Sequence, residues 1–253
     1  MKAVRDTWLI YRRSLMLALR NPVWVIIGIT QPFFFLLLFG PLLKGLAGQA
    51  GLDEASAYNL FVPGLMVQTA FFGTAFAGFG LIAEMRAGVI ERMRVSPVSR
   101  VAMLLGRSLR DVTVLVGQSL LLVVLAIPFG LTIDPVGLVV ALALIGLTGL
   151  LIAPLSYSVA LITKNEDSFA PLVNFVMLPV LLLSGILLPM SLAPDWLQTI
   201  ASLNPLSHVV DATRLLFNGV FGDPIVTTAV VLTGGLAALA LWVATRQFSR
   251  AVA

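Results

Sequence analysis

Residues 84–111 read EMRAGVIERMRVSPVSRVAMLLGRSLRD and hold nine charged side chains, in a chain with only 16 basic and 12 acidic residues. Long apolar stretches lie on both sides of this segment. Ionisable groups are costly in hydrocarbon, so a membrane protein that collects its charge in one internal segment places that segment in water. The segment therefore predicts a hydrophilic loop between two membrane spans, which a partner in water can reach.

The composition indicates a membrane protein with several spans. Hydrophobic residues make up 59% of the 253 residues, charged residues 11%, and the mean hydropathy is +1.02. Soluble domains carry about 25% charged residues, so this chain lacks the polar surface to cover itself. The net charge of +4 does not indicate a nucleic-acid partner, because the basic residues lie beside apolar spans and form no stripe with interleaved aromatic residues.

A membrane helix needs about 20 mostly apolar residues to cross roughly 30 Å of hydrocarbon. Six uncharged stretches meet this requirement and predict an all-α membrane protein with six transmembrane helices: Val23–Leu43, Asn59–Ala83, Val112–Leu131, Val136–Thr163, Phe169–Pro189 and Pro224–Thr245. The first stretch is longer than the apolar core of a signal peptide, about 7–15 residues, so it is interpreted as a retained span.

The basic residues predict the orientation, because cytoplasmic loops carry an excess of Lys and Arg. Five basic residues precede the first span and six lie in residues 84–111, and Lys164, Arg246 and Arg250 bring this side to 14 of the 16. Both termini and the 84–111 loop are therefore predicted to be cytoplasmic, with the chain in the cell (cytoplasmic) membrane. Residues 1–22 form a lead, and residues 23–253 form a single six-span domain.

The lead predicts an interfacial helix. Trp8, Tyr11 and Leu19 fall on one helical face and most arginines fall towards the other, although Leu9 and Met16 lie among the basic residues. A helix of this kind lies in the membrane interface with its arginines near anionic lipid.

The outer segment, residues 190–223, contains two apolar pieces, Trp196–Leu203 and Leu206–Phe221, that are too short to cross a bilayer. They predict two short outer helices, the second starting at Asn204 or Pro205. His208, Asp211 and Arg214 recur every three residues, so a site here is conceivable. A helix-surface ion pair between Asp211 and Arg214 beside a solvated histidine is favoured over that site.

The sequence lacks the motifs of an enzyme. It has one histidine, no cysteine, no HExxH and no GxSxG, so no catalytic, metal or cofactor site is predicted in this chain. It also lacks a GxxxxGK(S/T) loop, so it does not bind ATP through a P-loop. The six predicted spans contain no ionisable residue that could carry protons or hold ions. Energy for any transport is therefore expected to enter from outside the spans.

The 84–111 loop predicts a cytoplasmic helix over Glu84–Arg94 followed by a sharp corner. Pro97 cannot continue that helix, because it lacks an amide hydrogen and its ring clashes with the preceding turn. Ser96 as N-cap and Pro97 as the first residue would instead start a new helix that runs into span three. A push on such a corner would move spans two and three.

Two motifs carry a resemblance to a known family. Residues 88–100, GVIERMRVSPVSR, resemble the GTLER…TPxSR signature of ABC-2 type transporter permeases, especially the daunorubicin-resistance drug-exporter type. Residues 183–189, LSGILLP, precede a second match at residues 204–214, where NPLSHVVDATR stands for the family's NPLTYVVDALR. Val89 and Ser96 replace the family's usual threonines. With the six-span layout, the resemblance covers nearly the whole chain.

The resemblance implies a permease subunit that pairs with a second copy or a close relative, with the homodimer favoured, and that docks two cytoplasmic ABC ATPase subunits, which bind ATP and Mg²⁺. It also implies that the helix around Glu84–Arg94 is a coupling helix between spans two and three. The candidate coupling residues are Glu84, Arg86, Gly88, Glu91, Arg92, Arg94, Ser96, Pro97 and Arg100. A solvated loop that merely anchors the topology is the alternative.

By the same analogy, the substrate path lies between the two copies and is lined by spans two and five. The candidate path residues are Gln68, Phe72, Phe76, Asn174 and Met177. Polar side chains in membranes often only bond neighbouring helices, and this alternative is favoured. The outer segment adds Trp196, Asn204, Pro205, His208, Asp211 and Arg214 as candidates.

The sequence thus favours the membrane permease of an ATP-driven exporter for an apolar or amphipathic compound, drug-like or lipid-like. A stand-alone secondary drug carrier is the first alternative, although it would need an intramembrane carboxylate. A non-transporting scaffold or immunity protein is the second.

Overall fold

Helices make up every regular element in residues 2–20, 23–49, 54–94, 98–186 and 190–251, the part of the chain that the computed structural model describes. In chain order they are α1 (Lys2–Arg20), α2 (Val23–Gln49), α3 (Glu54–Ala75), α4 (Gly78–Arg86), α5 (Val89–Arg94), α6 (Arg100–Ala126), α7 (Pro135–Thr163), α8 (Glu166–Leu182), α9 (Asp195–Ala201), α10 (Pro205–Phe217) and α11 (Pro224–Ala251). Single 3₁₀ turns lie at Ile127–Phe129 and Met190–Leu192.

Four helical stretches are long and apolar enough to cross a membrane: Ala57–Arg86, Arg100–Phe129, Pro135–Thr163 and Pro224–Ser249. They contain the predicted spans two, four and six, and all of span three except its last two residues. A shorter apolar helix, Ile26–Leu42, lies within predicted span one. Helix α8, with 17 residues, falls in predicted span five, whose residues 187–189 lie outside the described part. The helical membrane protein is therefore confirmed, and the count of six spans stays a prediction.

The second span lies at the centre of the helix bundle. In its most apolar window 67% of the residues are buried inside the protein, against 28% for the last span. Val62, Leu65 and Met66 of α3 are fully covered, whereas α11 exposes Val231 and Trp242. A helix surrounded by protein can keep polar side chains, because neighbouring helices supply hydrogen-bond partners. Helix α3 and its continuation α4 can therefore hold polar side chains inside the bundle.

The helix predicted for Glu84–Arg94 is interrupted, which corrects the sequence prediction. Helix α4 ends at Arg86 and α5 begins at Val89, because Ala87 and Gly88 form a turn. Gly88 has a φ of 66°, in the left-handed region that only glycine adopts readily. Its amide donates to the carbonyl of Met85 at 3.0 Å, which closes the last turn of α4.

The helix of the third span begins later than the sequence predicted. It starts at Arg100, so neither Ser96 nor Pro97 caps it, and that prediction is wrong. The N-cap is Ser99, which has extended backbone and whose Oγ accepts the amide of Ala102 at 3.1 Å. Ser96 and Pro97 themselves lie outside the described residues.

The second half of segment 84–111 is not a hydrophilic loop, a further correction. From Arg100 onward it is helix, and Arg107 and Asp111 are only 4% and 8% exposed. Helix α6 therefore holds two buried ionisable residues just before the predicted third span, where the charge pattern had indicated contact with water. Close packing of α1 on this part of α6 explains part of the burial. A Cβ at Gly106 would lie 2.8 Å from Ile10 of α1.

Helix α1 is amphipathic, as predicted, but it has three faces rather than two. Asp6 and Ile10 are buried against the bundle. The exposed sides carry an apolar group (Val4, Trp8, Leu19) and a basic group with interleaved apolar residues (Leu9, Arg12, Arg13, Met16, Arg20). Its place in the membrane interface stays a prediction.

Two short helices, α9 and α10, occupy the segment predicted to form the outer pair. Asn204 is the N-cap of α10 and Pro205 its first residue, one of the two starts considered from the sequence. Helix α10 ends at Phe217, four residues before the predicted apolar piece ends, and Gly219 follows with a φ of 73°. Nine residues of α10 are buried, so it packs into the bundle and does not lie on its surface.

Candidate functional site

The corner formed by α4, α5 and the start of α6 is tied to three other parts of the bundle. Glu84 forms an ion pair with the buried Arg107 of α6. Arg86 lies 3.2 Å from Glu166 at the start of α8. Arg100 donates to the carbonyl of Ser249 in α11 at 2.7 Å. Three of the candidate coupling residues therefore connect the corner to different helices.

Between these contacts, α5 is held mainly by its own backbone turn. Arg92 is exposed, and its guanidinium donates to the carbonyls of Ala87 at 3.1 Å and Gly88 at 3.4 Å. Ile90 is buried and packs in the main hydrophobic core. The structure thus presents α5 as a short helix with one apolar anchor and an exposed basic side. The side chains of Glu91 and Arg94 lie outside the described residues.

A buried group of charged and phenolic side chains lies behind the corner. Asp111, one turn after Arg107 on α6, accepts a hydrogen bond from the Tyr157 hydroxyl of α7. Arg110 lies 3.2 Å from the same carboxylate. Buried charges persist only with such partners, because an unpaired one retains its full desolvation cost. Sequence reasoning missed this group because Tyr157 lies within an apolar span, 46 residues from Asp111.

Two of the candidate path residues belong to a row of phenylalanines along α3, α4 and α8. Ring centroids are 6.5 Å apart between Phe72 and Phe76, 5.8 Å between Phe76 and Phe79, and 4.9 Å between Phe79 and Phe169. The first three rings are half-buried and Phe169 is fully buried. The row runs from the middle of the second span towards its cytoplasmic end under the predicted orientation.

The other candidate path residues do not share one environment. Gln68 of α3 is 4% exposed, and its Oε1 has no hydrogen-bond partner among the described residues. Met177 is buried, whereas Asn174 is exposed and donates to the carbonyl of Ala170 at 3.0 Å. The structure therefore does not bring all five into one surface of a single copy.

Arg214 organises the segment predicted to be outer. Its guanidinium donates to the carbonyls of Leu60 at 3.0 Å and Gly185 at 2.8 Å, and it lies 3.3 Å from Asp211. The ion pair considered from the sequence is present, but Arg214 is 8% exposed and is not a surface residue. The contacts of Arg214 with other segments therefore account for this arginine in the series His208, Asp211 and Arg214.

The ionisation of this pair follows from its partial burial. Burial raises the pKa of Asp211, and the neighbouring guanidinium opposes the rise. Burial likewise lowers the pKa of Arg214, opposed by the carboxylate. Desolvation is the larger cause of both pKa shifts. The carbonyl groups of Leu60 and Gly185 give the buried guanidinium hydrogen-bond partners in addition to Asp211.

The remaining residues of this segment act locally. Asn204 donates to the carbonyl of Val180 at 2.7 Å and accepts the amide of Leu206 at 3.0 Å, which ties the start of α10 to α8. The ring of His208 is half-buried rather than solvated, and its Nε2 lies 2.9 Å from the carbonyl of Ser202. Trp196 is exposed.

Sequence reasoning also missed a polar contact that closes one end of the bundle. The amide group of Asn59 donates to Thr132 Oγ1 at 2.9 Å and to Asn218 Oδ1 at 3.2 Å, while its carbonyl oxygen accepts the Thr132 amide at 3.1 Å. Three segments therefore meet at one asparagine, next to the predicted outer helices. The available signal was an asparagine at the very start of an apolar span.

No group of metal-ligating side chains occurs among the residues that the structure describes. The arrangement offers helix-to-helix connections, an aromatic row and an exposed basic corner. These parts suit the transmission of movement through a membrane bundle.

Comparison with known proteins identifies the family. Residues 5–218 match the ABC-2 type transporter family. The daunorubicin resistance ABC transporter permease protein DrrB1 of Streptomyces coeruleorubidus is 28% identical over 90% of this chain and 80% of its own length. The putative transport permease ycf38 of Cyanophora paradoxa is 27% identical over 85% of this chain and 75% of its own. The probable multidrug ABC transporter permease YbhR of Escherichia coli is 26% identical over 63% and 44%. The chain therefore belongs to the ABC-2 type transporter family and is a homologue of the daunorubicin resistance permease.

Proposed function

We propose that this chain is the permease subunit of an ABC exporter that moves an apolar or amphipathic compound out across the cytoplasmic membrane. Members of the family are membrane components of transporters and are not themselves ATPases. Two cytoplasmic ATPase subunits would supply the energy and hold ATP and Mg²⁺, because this chain has no P-loop. The permease would be one domain of six spans with both termini cytoplasmic, preceded by α1.

The observation that carries this proposal is the corner around α5. Glu84, Arg86 and Arg100 connect it to α6, α8 and α11, while Arg92 leaves a basic side exposed. A cytoplasmic subunit that binds α5 would therefore act on three helices at once. A loop that only anchors the topology has no need of these connections.

The half-buried rings of Phe72, Phe76 and Phe79 support the proposed substrate class. Aromatic faces suit flat apolar or cationic amphipathic compounds and offer little to sugars or small ions. A relative named for daunorubicin resistance agrees with this class. Export of a drug-like or lipid-like compound is the form of transport that this chemistry supports best.

A second copy of the chain would complete the path. Helix α8 buries Phe169, Val173 and Met177 and exposes an apolar side that includes Phe175, which is 82% exposed. We propose that this side, together with Asn174, faces the other copy across the path. Around the pair, the basic group on α1 would contact anionic lipid headgroups, with the apolar group in the acyl region.

One finding favours a second candidate, the secondary carrier. The sequence argued against it for want of an intramembrane carboxylate, and Asp111, next to the predicted start of span three, is a carboxylate buried beside Tyr157. The two functions differ in what drives transport. The carrier would move its substrate alone on a proton gradient, and the exporter would need its ATPase.

Charge reversal in α5 tests the coupling role. Glu91→Lys and Arg92→Glu should weaken the hold of the ATPase subunit. Arg92→Glu should leave the fold intact, because Arg92 is exposed and, among the described residues, its guanidinium bonds only the carbonyls of Ala87 and Gly88. We expect ATP hydrolysis to continue while ATP-driven daunorubicin transport into inside-out vesicles falls about tenfold or more, since losing an interfacial charge contact costs a few kcal/mol. Arg5→Glu, an exposed reversal on α1, is the control. Normal transport in both reversals would remove the coupling role.

A further inference from the structure

The helix of the second span is broken near its cytoplasmic end. Helix α3 ends at Ala75 and α4 begins at Gly78, with a turn at Phe76 and Ala77. The amides of Ala77, Phe79 and Gly80 bond to the carbonyl three residues before, at 3.1–3.2 Å, instead of four. Such a break frees backbone groups that must find other partners inside a membrane protein.

The hydroxyl of Ser156 supplies those partners from α7. Its Oγ accepts the amide of Gly78 at 2.9 Å and donates to the carbonyl of Ala75 at 2.6 Å. Ser156 is 5% exposed, so water does not offer an easy substitute. One side chain thus bridges the two ends of the break and joins them to a neighbouring helix.

The break is packed as closely as it is bonded. A Cβ at Gly78 would lie 2.7 Å from Cε2 of Phe169 in α8 and 2.9 Å from the carbonyl oxygen of Ser156. Three helices, α4, α7 and α8, therefore meet at this glycine with no room for another atom. Rotation of α4 about this point keeps its near end fixed and displaces its far end.

The far end of α4 is the corner. Its nine residues place Glu84 roughly 9 Å and the turn into α5 roughly 13–14 Å from Gly78, at about 1.5 Å per residue. Next to the fixed point, Phe79 contacts Phe169 edge-on at 4.9 Å, so a tilt of α4 turns a ring that bears on α8. The helix has the parts of a lever: a fixed point at Ser156, a long arm that ends at α5 and an aromatic contact beside the fixed point.

We propose that Ser156 is a positioning residue that holds the break between α3 and α4, so that α4 turns as a lever and carries movement of α5 to Phe79, Phe169 and helix α8. This inference rests on the proposed function, in which an ATPase subunit binds α5. It adds to that function the route by which the movement reaches a path-lining helix. Ser156 itself touches neither ATPase nor substrate.

The test compares Ser156→Ala with Ser158→Ala in the complete complex of permease and ATPase subunits, reconstituted in nanodiscs. Ser158 is also 5% exposed and lies on α7, but its hydroxyl bonds only the carbonyl of Pro154 in its own helix, at 2.9 Å. The two variants therefore lose the same atom, and only the first loses the bridge. Ser156→Cys, with a weaker hydrogen-bonding thiol, is the graded variant.

Two measurements read the result. Amide hydrogen exchange of the peptide that covers residues 75–80 should become about tenfold faster in Ser156→Ala, since the Gly78 amide loses its acceptor. The ATP-dependent change in distance between spin labels on α4 and α7 should shrink in the same variant. Ser158→Ala should match the parent protein in both measurements. Ser156→Cys should give values between those of the parent protein and those expected for Ser156→Ala. If the Ser156→Ala complex does not assemble, the comparison of Ser156→Cys with Ser158→Ala still tests the bridge.

The outcomes distinguish a failure of the proposed role of Ser156 from a failure of the proposed coupling to an ATPase. If the parent complex shows no ATP-dependent distance change, or binds no ATPase subunit, the coupling function is overturned. If the parent complex shows the change and both serine variants keep it with unchanged exchange, the role of Ser156 is overturned and the coupling function stands. An equally large loss of the ATP-dependent distance change in Ser158→Ala would also overturn the role of Ser156, because any loss of a serine hydroxyl from α7 would then have the same effect.

Discussion

Arg214 connects three segments through backbone carbonyls, and this makes it a structural residue of the family motif that contains it. Replacing it by glutamine removes the donors to Leu60 and Gly185 and leaves those carbonyls in a buried site. We expect Arg214→Gln to lower the free energy of unfolding by about 2–4 kcal/mol. Unfolding of the purified protein in mild detergent, followed by heat or denaturant, measures the loss.

Asp211→Asn is the matched control, because it removes the ionic partner and keeps the carbonyl contacts. The Asp211 side chain is 45% exposed, so we expect a loss below about 1 kcal/mol. If Asp211→Asn costs as much as Arg214→Gln, the ion pair rather than the carbonyl contacts holds this segment.

The Glu84–Arg107 pair gives a second prediction at the scale of residues. Arg107 has a side chain only 5% exposed, so removing its carboxylate partner should cost more than removing a surface partner. A double-mutant cycle with Glu84→Gln and Arg107→Gln should give a coupling energy of about 1–3 kcal/mol. The same cycle on Arg86 and Glu166, 56% and 39% exposed, should give less than about 1 kcal/mol. Equal coupling energies in the two cycles would contradict the claim that burial makes the Glu84–Arg107 pair the stronger one.

At this scale the sequence predicted the start of α10 but not the tertiary contacts that hold it. Asn204 and Pro205 follow capping rules that depend on neighbours in the chain, so the start of α10 could be predicted. The partners of Arg214 lie 29 and 154 residues away and are carbonyl groups, which no side-chain pattern reveals. The contacts of Ser156 and Tyr157 could not be predicted for the same reason, because their partners come close only when α7 packs beside α4 and α6.

At the scale of elements, the packing of α1 on α6 depends on Gly106. A Cβ there would lie 2.8 Å from Ile10 and 2.9 Å from the carbonyl of Thr7. We expect Gly106→Ala to loosen α1, which faster amide hydrogen exchange in residues 2–20 and a lower unfolding temperature would show. Gly117→Ala is the control in the same helix, since its Cβ would meet nothing within 4 Å and alanine favours the helix. Equal exchange of α1 in the two variants would contradict this contact.

The elements themselves were predictable to the extent that local chemistry defines them. The sequence identified the spans by their length and lack of charge, but it joined α4 to α5 and started α6 at Pro97. The left-handed turn at Gly88 competes with a continuous helix through that position. The cap at Ser99 competes with a cap at Ser96. Tertiary contacts of Ile90 and Arg100 favour the observed arrangement, and these are not encoded in nearby residues.

At the scale of the whole molecule, charge distribution predicted a membrane bundle with one cytoplasmic corner. The bundle of apolar helices is confirmed, and the cytoplasmic placement of the corner stays a prediction. The sequence could not predict that charged residues of that corner continue into the bundle. Arg107 and Asp111 look like loop residues because they lie next to other charges. Their burial is a property of the assembled helices α1, α4, α6 and α7, since only those supply the cover and the partners.

The central claim is that energy reaches this chain from an ATPase that binds its cytoplasmic corner. The most direct measurement is the uptake of a fluorescent amphipathic drug into sealed proteoliposomes that contain the purified chain, with and without its ATPase subunits, under ATP and under an imposed proton gradient. The account predicts uptake only with both proteins, Mg²⁺ and ATP, and no response to the gradient. Uptake by the chain alone, driven by the gradient, would contradict it and would assign the buried Asp111 to a proton-coupled carrier.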